Sequence, residues 1–440
     1  MRQLKLLSIV IITFFGNTMS ITAQADQIAL KADLSTPVML AEKKQTVYLR
    51  VGLTGLLLKK QKIAPINVAL VIDKSGSMGG EKLRRAKDAA IMAIERLRKD
   101  DIISIVTYDH HADVLLPATK VTDQSRIIAT INRLRAGGST ALYAGVEKGA
   151  KEVRKFFDRK RVNRVVLVSD GLANVGPKTP AELGALGAFL REENIAVTTI
   201  GLGLGYNEDL MSKLAEKSDG NHAFAETATD LISFFDHEFG DIFSVVAQEV
   251  NVTIIGVDGV RPIRVLGRTA EIDDKQVSIQ LNQLYAEQEK YVLLELEIPA
   301  TPANKERIIA GVAVVYRNLG SDARERLSRM ISITFTKSAQ QVEEQTNKEV
   351  MIAIVEQQAV EKNEQAVKLR DEGKIEEAQQ VLMNNATVLR EEAAKYKSKK
   401  LQNLGISNKV DADNLDEKSW NRQRKFMIRE QYRSKTQQNY

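Results

Sequence analysis

The strongest constraint in this chain of 440 residues is an alternation in its middle: short apolar runs take turns with amphipathic stretches. Residues 66–72 (INVALVI) form a nearly unbroken apolar run, as do 102–107 and 164–169 (RVVLVS). A strand apolar at consecutive positions is covered on both faces, as in a parallel sheet between two helix layers. After 66–72, Gly79-Gly80 breaks the chain, and Leu83, Ala86, Ala90, Ile94 and Leu97 recur at helical spacing. Residues 112–116, ending at Pro117, predict an edge strand. Helices are predicted over 123–134, 141–157, 180–192, 207–217 and 227–240, with strands at 195–200 and 222–225. The series implies a doubly wound α/β sheet whose binding groups gather at the carboxyl ends of its strands.

The flanks have a different period. Residues 47–53 read as a strand. Beyond the α/β unit, β-rich stretches at 250–257, 277–281, 291–298, 308–316 and 330–336 are separated by turn residues such as Val257-Asp258-Gly259. The fold class expected is therefore an α/β, Rossmann-like domain over 64–240 inserted in a small β-sandwich built from 26–60 and 248–337. A C-terminal α-helical region follows. Residues 340–398 are rich in Glu, Gln, Ala and Lys and predict a helical hairpin, with Gly373 at its turn and Ala378 where its helices cross. The stretch 366–382 resembles a single tetratricopeptide hairpin, but one copy cannot build a solenoid.

The ends carry the charge argument. Arg2 and Lys5 precede an apolar run to Phe15, then polar residues and Ala23-Gln24-Ala25. That order predicts a signal peptide over 1–25, cleaved after Ala25, and a periplasmic or secreted protein; an uncleaved anchor is the other reading. No later apolar run is long enough to span a bilayer, so no transmembrane segment is expected in the mature chain. The chain has no cysteine, which excludes disulfides, thiolate zinc sites, iron–sulfur clusters and a cysteine nucleophile. Its net charge of +6 invites a nucleic-acid reading. Yet residues 395–440 alone hold twelve Lys and Arg against five Asp and Glu, so the remaining body is slightly acidic. Nucleic acid is thus not an expected partner. The basic tail 399–440 is expected to be partly disordered and to end in solvent, with a contact of 395–440 with anionic lipid, cell-wall polymer or an acidic partner as the alternative.

Three loops carry the chemistry. The strand 66–72 runs into Asp73-Lys74-Ser75-Gly76-Ser77, Gly137-Gly138-Ser139-Thr140 leads into a helix, and the strand 164–169 ends in Asp170-Gly171. In a doubly wound sheet these loops meet at the carboxyl edge. Asp73, Ser75, Ser77, Thr140 and Asp170 are all hard oxygen donors, suited to Mg²⁺ and, as alternatives, to Mn²⁺ or Ca²⁺. Two carboxylates balance a divalent ion and leave positions for water or an incoming carboxylate. An EF-hand is excluded, because Met78 and Arg84 stand where that loop needs Gly and Glu.

Asp73-x-Ser75-x-Ser77, Thr140 and Asp170-Gly171 resemble the metal-ion-dependent adhesion site of von Willebrand factor type A domains. The element order over 64–240 is similar as well. The resemblance implies that these five residues hold the ion directly or through water and that a ligand's acidic side chain completes its shell. A β-sandwich with an inserted type A domain also resembles bacterial relatives of inter-α-trypsin-inhibitor heavy chains and calcium-activated chloride-channel regulators.

Other motifs carry less. Gly201-Leu202-Gly203-Leu204-Gly205 has its third glycine one residue early for a dinucleotide loop and reads as a tight turn. Asp109-His110-His111 reads as an exposed hairpin turn, and Ser77 does not sit centrally in a nucleophile elbow. No catalytic set can be assembled. The expected function is an exported, non-enzymatic binding module gripping an Asp or Glu of a partner protein, with Lys74, Ser75, Met78 and the loop 137–140 forming its contact surface. A scaffold subunit of an envelope complex and a metal-dependent hydrolase are the alternatives.

Overall fold

The computed structural model describes residues 27–57 and 63–440; the expected signal peptide lies outside the described residues. The chain opens with strands β1 (Ile28–Leu34), β2 (Val38–Leu40) and β3 (Gln45–Gly55). The α/β unit follows as β4 (Ile66–Asp73), α1 (Glu81–Arg96), β5 (Ile102–Tyr108), β6 (Ala112–Lys120), α2 (Gln124–Asn132), α3 (Leu142–Lys155) and β7 (Val162–Ser169). It continues through α4 (Pro180–Glu192), β8 (Ala196–Leu202), α5 (Glu208–Ser218), β9 (His222–Ala225) and α6 (Ala228–Phe243). Its sheet has the order β6-β5-β4-β7-β8-β9, parallel except for the antiparallel edge β6.

The apolar runs are continuous because successive side chains feed two cores. Val68, Leu70 and Ile72 point into the layer of α1 and α6, while Ala69 and Val71 point into that of α3, α4 and α5. Ala86, Ala89, Ala90 and Ala93 are fully or nearly fully buried on α1 and let that helix lie close to the sheet. Since β4 lies between β5 and β7, the chain winds outward from it in both directions, and a crevice opens at its carboxyl end.

The sandwich uses both flanks. Strands β10 (Val245–Gly256), β11 (Arg261–Leu266), β12 (Glu271–Asp273), β13 (Gln276–Tyr285), β14 (Glu289–Ile298), β15 (Glu306–Asn318) and β16 (Arg324–Thr336) complete two sheets, β1-β3-β14-β11 and β12-β13-β10-β15-β16-β2. Antiparallel pairing of β3 with β14, Val51 opposite Val292, closes the sandwich around the inserted α/β unit. Alternate residues of β3, Val47, Leu49, Val51 and Leu53, enter the shared core beside Val250, Leu294 and Val314.

The C-terminal region is helical: α7 (Ala339–Glu344), α8 (Lys348–Asp371), α9 (Ile375–Tyr396), α10 (Lys399–Asp413) and α11 (Glu417–Thr436). Gly373, at φ +80°, makes the turn between α8 and α9, and Ala378 is fully buried. Val350, Ala353 and Ile354 of α8 pack on Leu266, Tyr291 and Leu293 of the sandwich.

The expectation of a partly disordered tail is corrected. Residues 399–436 form two helices, and α11 returns to cover the edge of the α/β sheet beside β9. The Tyr432 hydroxyl donates to the Gly220 carbonyl at 2.7 Å, and Phe426 meets Phe224 edge-on at 5.1 Å. Lys425 Nζ donates to Glu208 Oε2 at 2.5 Å and to the Tyr206 carbonyl at 3.0 Å. Arg424 reaches Glu208, Asp209 and Asp371. The tail is polar because it binds a charged surface of the same molecule, and Glu208 on that surface lies 217 residues from Lys425 in sequence. Its cations from Arg422 to Lys435 all have acidic partners, so they are not the free charges that the alternative, an anionic contact, assumed. Among the described residues no helix is long and apolar enough to cross a membrane.

Candidate metal centre

The site begins with strand register. β4 and β7 pair with Ile72 opposite Val168, which sets Asp73 beside Ser169 at the sheet's carboxyl edge. The Ser169 hydroxyl donates to Asp73 Oδ2 at 2.7 Å, and the Ser75 N–H donates to Asp73 Oδ1 at 2.8 Å. These two bonds fix the carboxylate plane while the chain turns into a short 3₁₀ segment at Gly76–Met78. Ser75 Oγ and Ser77 Oγ then stand 3.1 Å apart, and Ser77 donates to Asp170 Oδ1 at 2.7 Å.

The second loop is tied to the first by backbone bonds: the Gly137 N–H donates to the Lys74 carbonyl at 2.7 Å and the Gly76 N–H to the Gly138 carbonyl at 3.1 Å. Gly138 has φ +88°, and a Cβ there would lie 2.8 Å from Asp109 Cβ, so the loop needs glycine at this position. Thr140 is tied to the third loop. Its N–H donates to Asn174 Oδ1 at 2.9 Å, and the Asn174 N–H returns to its carbonyl at 3.1 Å. A Cβ on Gly171 would stand 3.2 Å from Thr140 Oγ1 and 3.6 Å from Ser77 Oγ, so both hydroxyls converge beside Asp170-Gly171.

All five sequence-predicted residues therefore come to one crevice. Asp73, Ser75, Thr140 and Asp170 are buried. Burial is the main cause holding the Asp73 carboxyl above its ordinary range; the like charge of Asp170 adds to it, against the bonds from Ser169 and Ser75. Lys82 of α1 supplies the local counter-charge, its Nζ 2.5 Å from Asp170 Oδ2. The donor set fits a hard divalent cation: two buried carboxylates and three hydroxyls from three loops lie close together, and a cationic side chain already stands beside one carboxylate.

Two parts of the expected contact surface differ. Met78 is fully buried in the core under α1, because the 3₁₀ turn points it inward, and Lys74 is drawn into an ion pair with Asp109. Leu172 and Leu204 are exposed instead, Leu172 in the loop after Asp170 and Leu204 in the loop after β8. His110 and His111 are exposed at the β5–β6 turn, where His110 Nδ1 accepts from the Ser139 N–H at 2.9 Å. Ser169, Asn174 and Lys82 were not singled out as site residues from sequence. The strand register was the one signal that could have found Ser169, while Asn174 and Lys82 depend on how loop and helix pack.

The profile of the von Willebrand factor type A domain matches residues 67–237, a span holding all five positions. The chain carries a von Willebrand factor type A domain. Domains of this family commonly mediate protein–protein interaction through a site that binds divalent metal.

Among relatives, an uncharacterized protein of Synechocystis is 27% identical over 287 residues, 63% of this chain and 67% of the relative. The uncharacterized protein YfbK of Escherichia coli is 30% identical over 213 residues, 48% of this chain but 37% of the relative. Inter-alpha-trypsin inhibitor heavy chain H3 of Pongo abelii is 27% identical over 177 residues, 37% of this chain and 19% of the relative. The chain thus spans about two thirds of the first of these relatives and far less of the other two. A solved structure, a von Willebrand factor type A protein of Catenulispora acidiphila, superposes with a TM-score of 0.71 at 16% identity, covering 87% of this chain and 91% of that one. At that identity the likeness is one of fold. Its coverage exceeds the type A domain, so the shared architecture extends into the flanking units.

Proposed function

We propose that this chain is an exported binding module that uses Asp73, Ser75, Ser77, Thr140 and Asp170 to hold a divalent cation, Mg²⁺ in first place, and through it an acidic residue of a partner protein. The observation that carries the reading is the convergence of two buried carboxylates and three hydroxyls from three loops at the crevice beside β4. When bound, the ion supplies an electrophilic centre whose unfilled positions take water or a carboxylate. The protein's own residues do the rest. Ser169 and the Ser75 N–H orient Asp73, Ser77 orients Asp170, and Asn174 holds Thr140 in place. Exposed Leu172 and Leu204 offer apolar contact to the partner. Mn²⁺ and Ca²⁺ suit the same donors. Export rests on the residues 1–25, whose order is that of a signal peptide.

Calorimetric titration with Mg²⁺ or Mn²⁺ tests the reading directly. The wild-type chain is expected to bind one ion, and Asp73→Ala to lose about a hundredfold in affinity or more. A partner captured by the wild type should be released by EDTA. Binding of the ion unchanged in Asp73→Ala, or a partner held equally well with and without EDTA, would sink the proposal.

A further inference from the structure

Helices α9 and α10 form an antiparallel pair joined by Lys397 and Ser398, and a groove of about 680 Å³ runs along their solvent side. The pair packs closely at its middle: a Cβ on Gly405 would stand 3.3 Å from the Ala386 carbonyl oxygen and 3.4 Å from Leu389 Cβ. Small residues thus form the floor, and two large apolar side chains, Met383 and Ile406, line the groove while 38% and 59% exposed. Arg390, Lys397, Lys399 and Lys409 complete its lining, and no Asp or Glu contributes to it. All four cations are exposed, and none has an ion-pair partner among the described residues. That sets them apart from the cations of α11, which are spent on acidic groups of this same molecule.

An apolar seam edged by four unpaired charges of one sign leaves two demands unmet within the chain, apolar cover and negative charge. Both are met together by an amphipathic helix with acidic flanks. The groove is concave, which suits a rod of about 10 Å diameter better than a flat bilayer. The chain's own residues outside the described set are unsuitable, since 1–26 and 58–62 carry Arg2, Lys5, Lys59, Lys60 and Lys62 against a single acid, Asp26. We infer that the α9–α10 groove is a docking site for an acidic amphipathic helix of a partner protein, its apolar stripe on Met383 and Ile406 and its carboxylates on the four cations. This surface is separate from the metal centre and does not depend on the function proposed for it.

The test uses the full chain and two fluorescent helical peptides with identical leucine stripes, one with Glu and one with Lys at the remaining positions, read by anisotropy at low salt. The Glu peptide should bind the wild type at least about tenfold more tightly than the Lys peptide. Ile406→Glu and the double variant Arg390→Glu/Lys409→Glu should each weaken it by about tenfold or more. Val388→Glu, on an exposed α9 position that does not line the groove, should leave it unchanged, as should Asp73→Ala. Circular dichroism and the urea midpoint show whether each variant is folded. Failure of the Glu peptide to bind, equal binding of both peptides, or insensitivity to the groove variants would overturn the inference. So would binding to phosphatidylglycerol vesicles that those variants abolish while the Glu peptide does not bind, since the groove would then serve a membrane.

Discussion

At the scale of single residues, the metal centre is a problem in charge balance. Two buried carboxylates share one crevice, and Lys82 stands against Asp170. Lys82 is partly exposed, so its contribution is screened, yet an incoming cation must still compete with it. Lys82→Met should therefore raise Mn²⁺ affinity about threefold to tenfold, equivalent to about 1 kcal/mol, in a calorimetric titration. Unchanged or weaker binding would show that the lysine positions Asp170 rather than opposing the ion. On the C-terminal helices, burial between α10 and α11 pushes the Asp411 carboxyl up to about 7, against a bond from Gln423. A carboxyl whose folded pKa is raised binds its proton more tightly when folded. It stabilises the fold below its unfolded pKa of about 4, and that contribution is lost as pH rises through about 7. The wild type should lose stability relative to Asp411→Asn between pH 4 and pH 8, on the order of 4 kcal/mol at most, measured by urea unfolding at both pH values.

At the scale of elements, the loops of the centre are held by main-chain bonds and by strand register, whereas α11 is held by side chains. Burial pushes Glu208 up, but hydrogen bonds and charge from Lys425 and Arg424 outweigh it and hold the carboxyl below its ordinary range. Lys425→Met should cost about 2 to 3 kcal/mol in urea unfolding, less than a wholly orphaned buried charge because Arg424 still faces Glu208. Amide exchange at β9 should quicken in the same variant, since α11 covers that edge strand. The elements differed in how plainly they could be read. α4 at Pro180–Glu192 and β9 at His222–Ala225 have the bounds expected from pattern, because a capping box at Thr179 and a short apolar run mark them locally. β1, β2, β11 and β12 were missed. β11 begins Arg261-Pro262 on a sheet edge and buries only Pro262 and Leu266, and β12 is three residues long and wholly exposed, so neither shows the regular alternation a pattern needs.

At the scale of the whole molecule, a buried arginine, ion-paired within the inserted domain, ties that domain to its sandwich. Arg164 and Glu238, both fully buried, lie 2.5 Å apart, and Arg164 also donates to the Tyr285 hydroxyl at 2.7 Å and to Gln283 across the junction. The Tyr440 hydroxyl donates to Glu238 and accepts from Asn221, bringing the last residue of the chain into the same network. Arg164→Met should destabilise the chain by about 3 to 5 kcal/mol, because Glu238 is left charged and buried, and adding Glu238→Gln should recover part of that loss. Thermal unfolding of the single and double variants checks this; equal melting of the two would place the cost in packing rather than charge. The sequence by itself determined the alternating α/β unit and the five oxygen donors at its carboxyl edge. Those follow from short-range facts: apolar runs specify buried strands, and in a doubly wound sheet the loops at the carboxyl edge must meet. Only the tertiary structure decided that Ser169, Asn174 and Lys82 serve the centre, that Met78 turns inward, and that the basic tail folds back as α11. Each of these depends on a partner distant in sequence, where local pattern carries no record of which surface a polar side chain will meet.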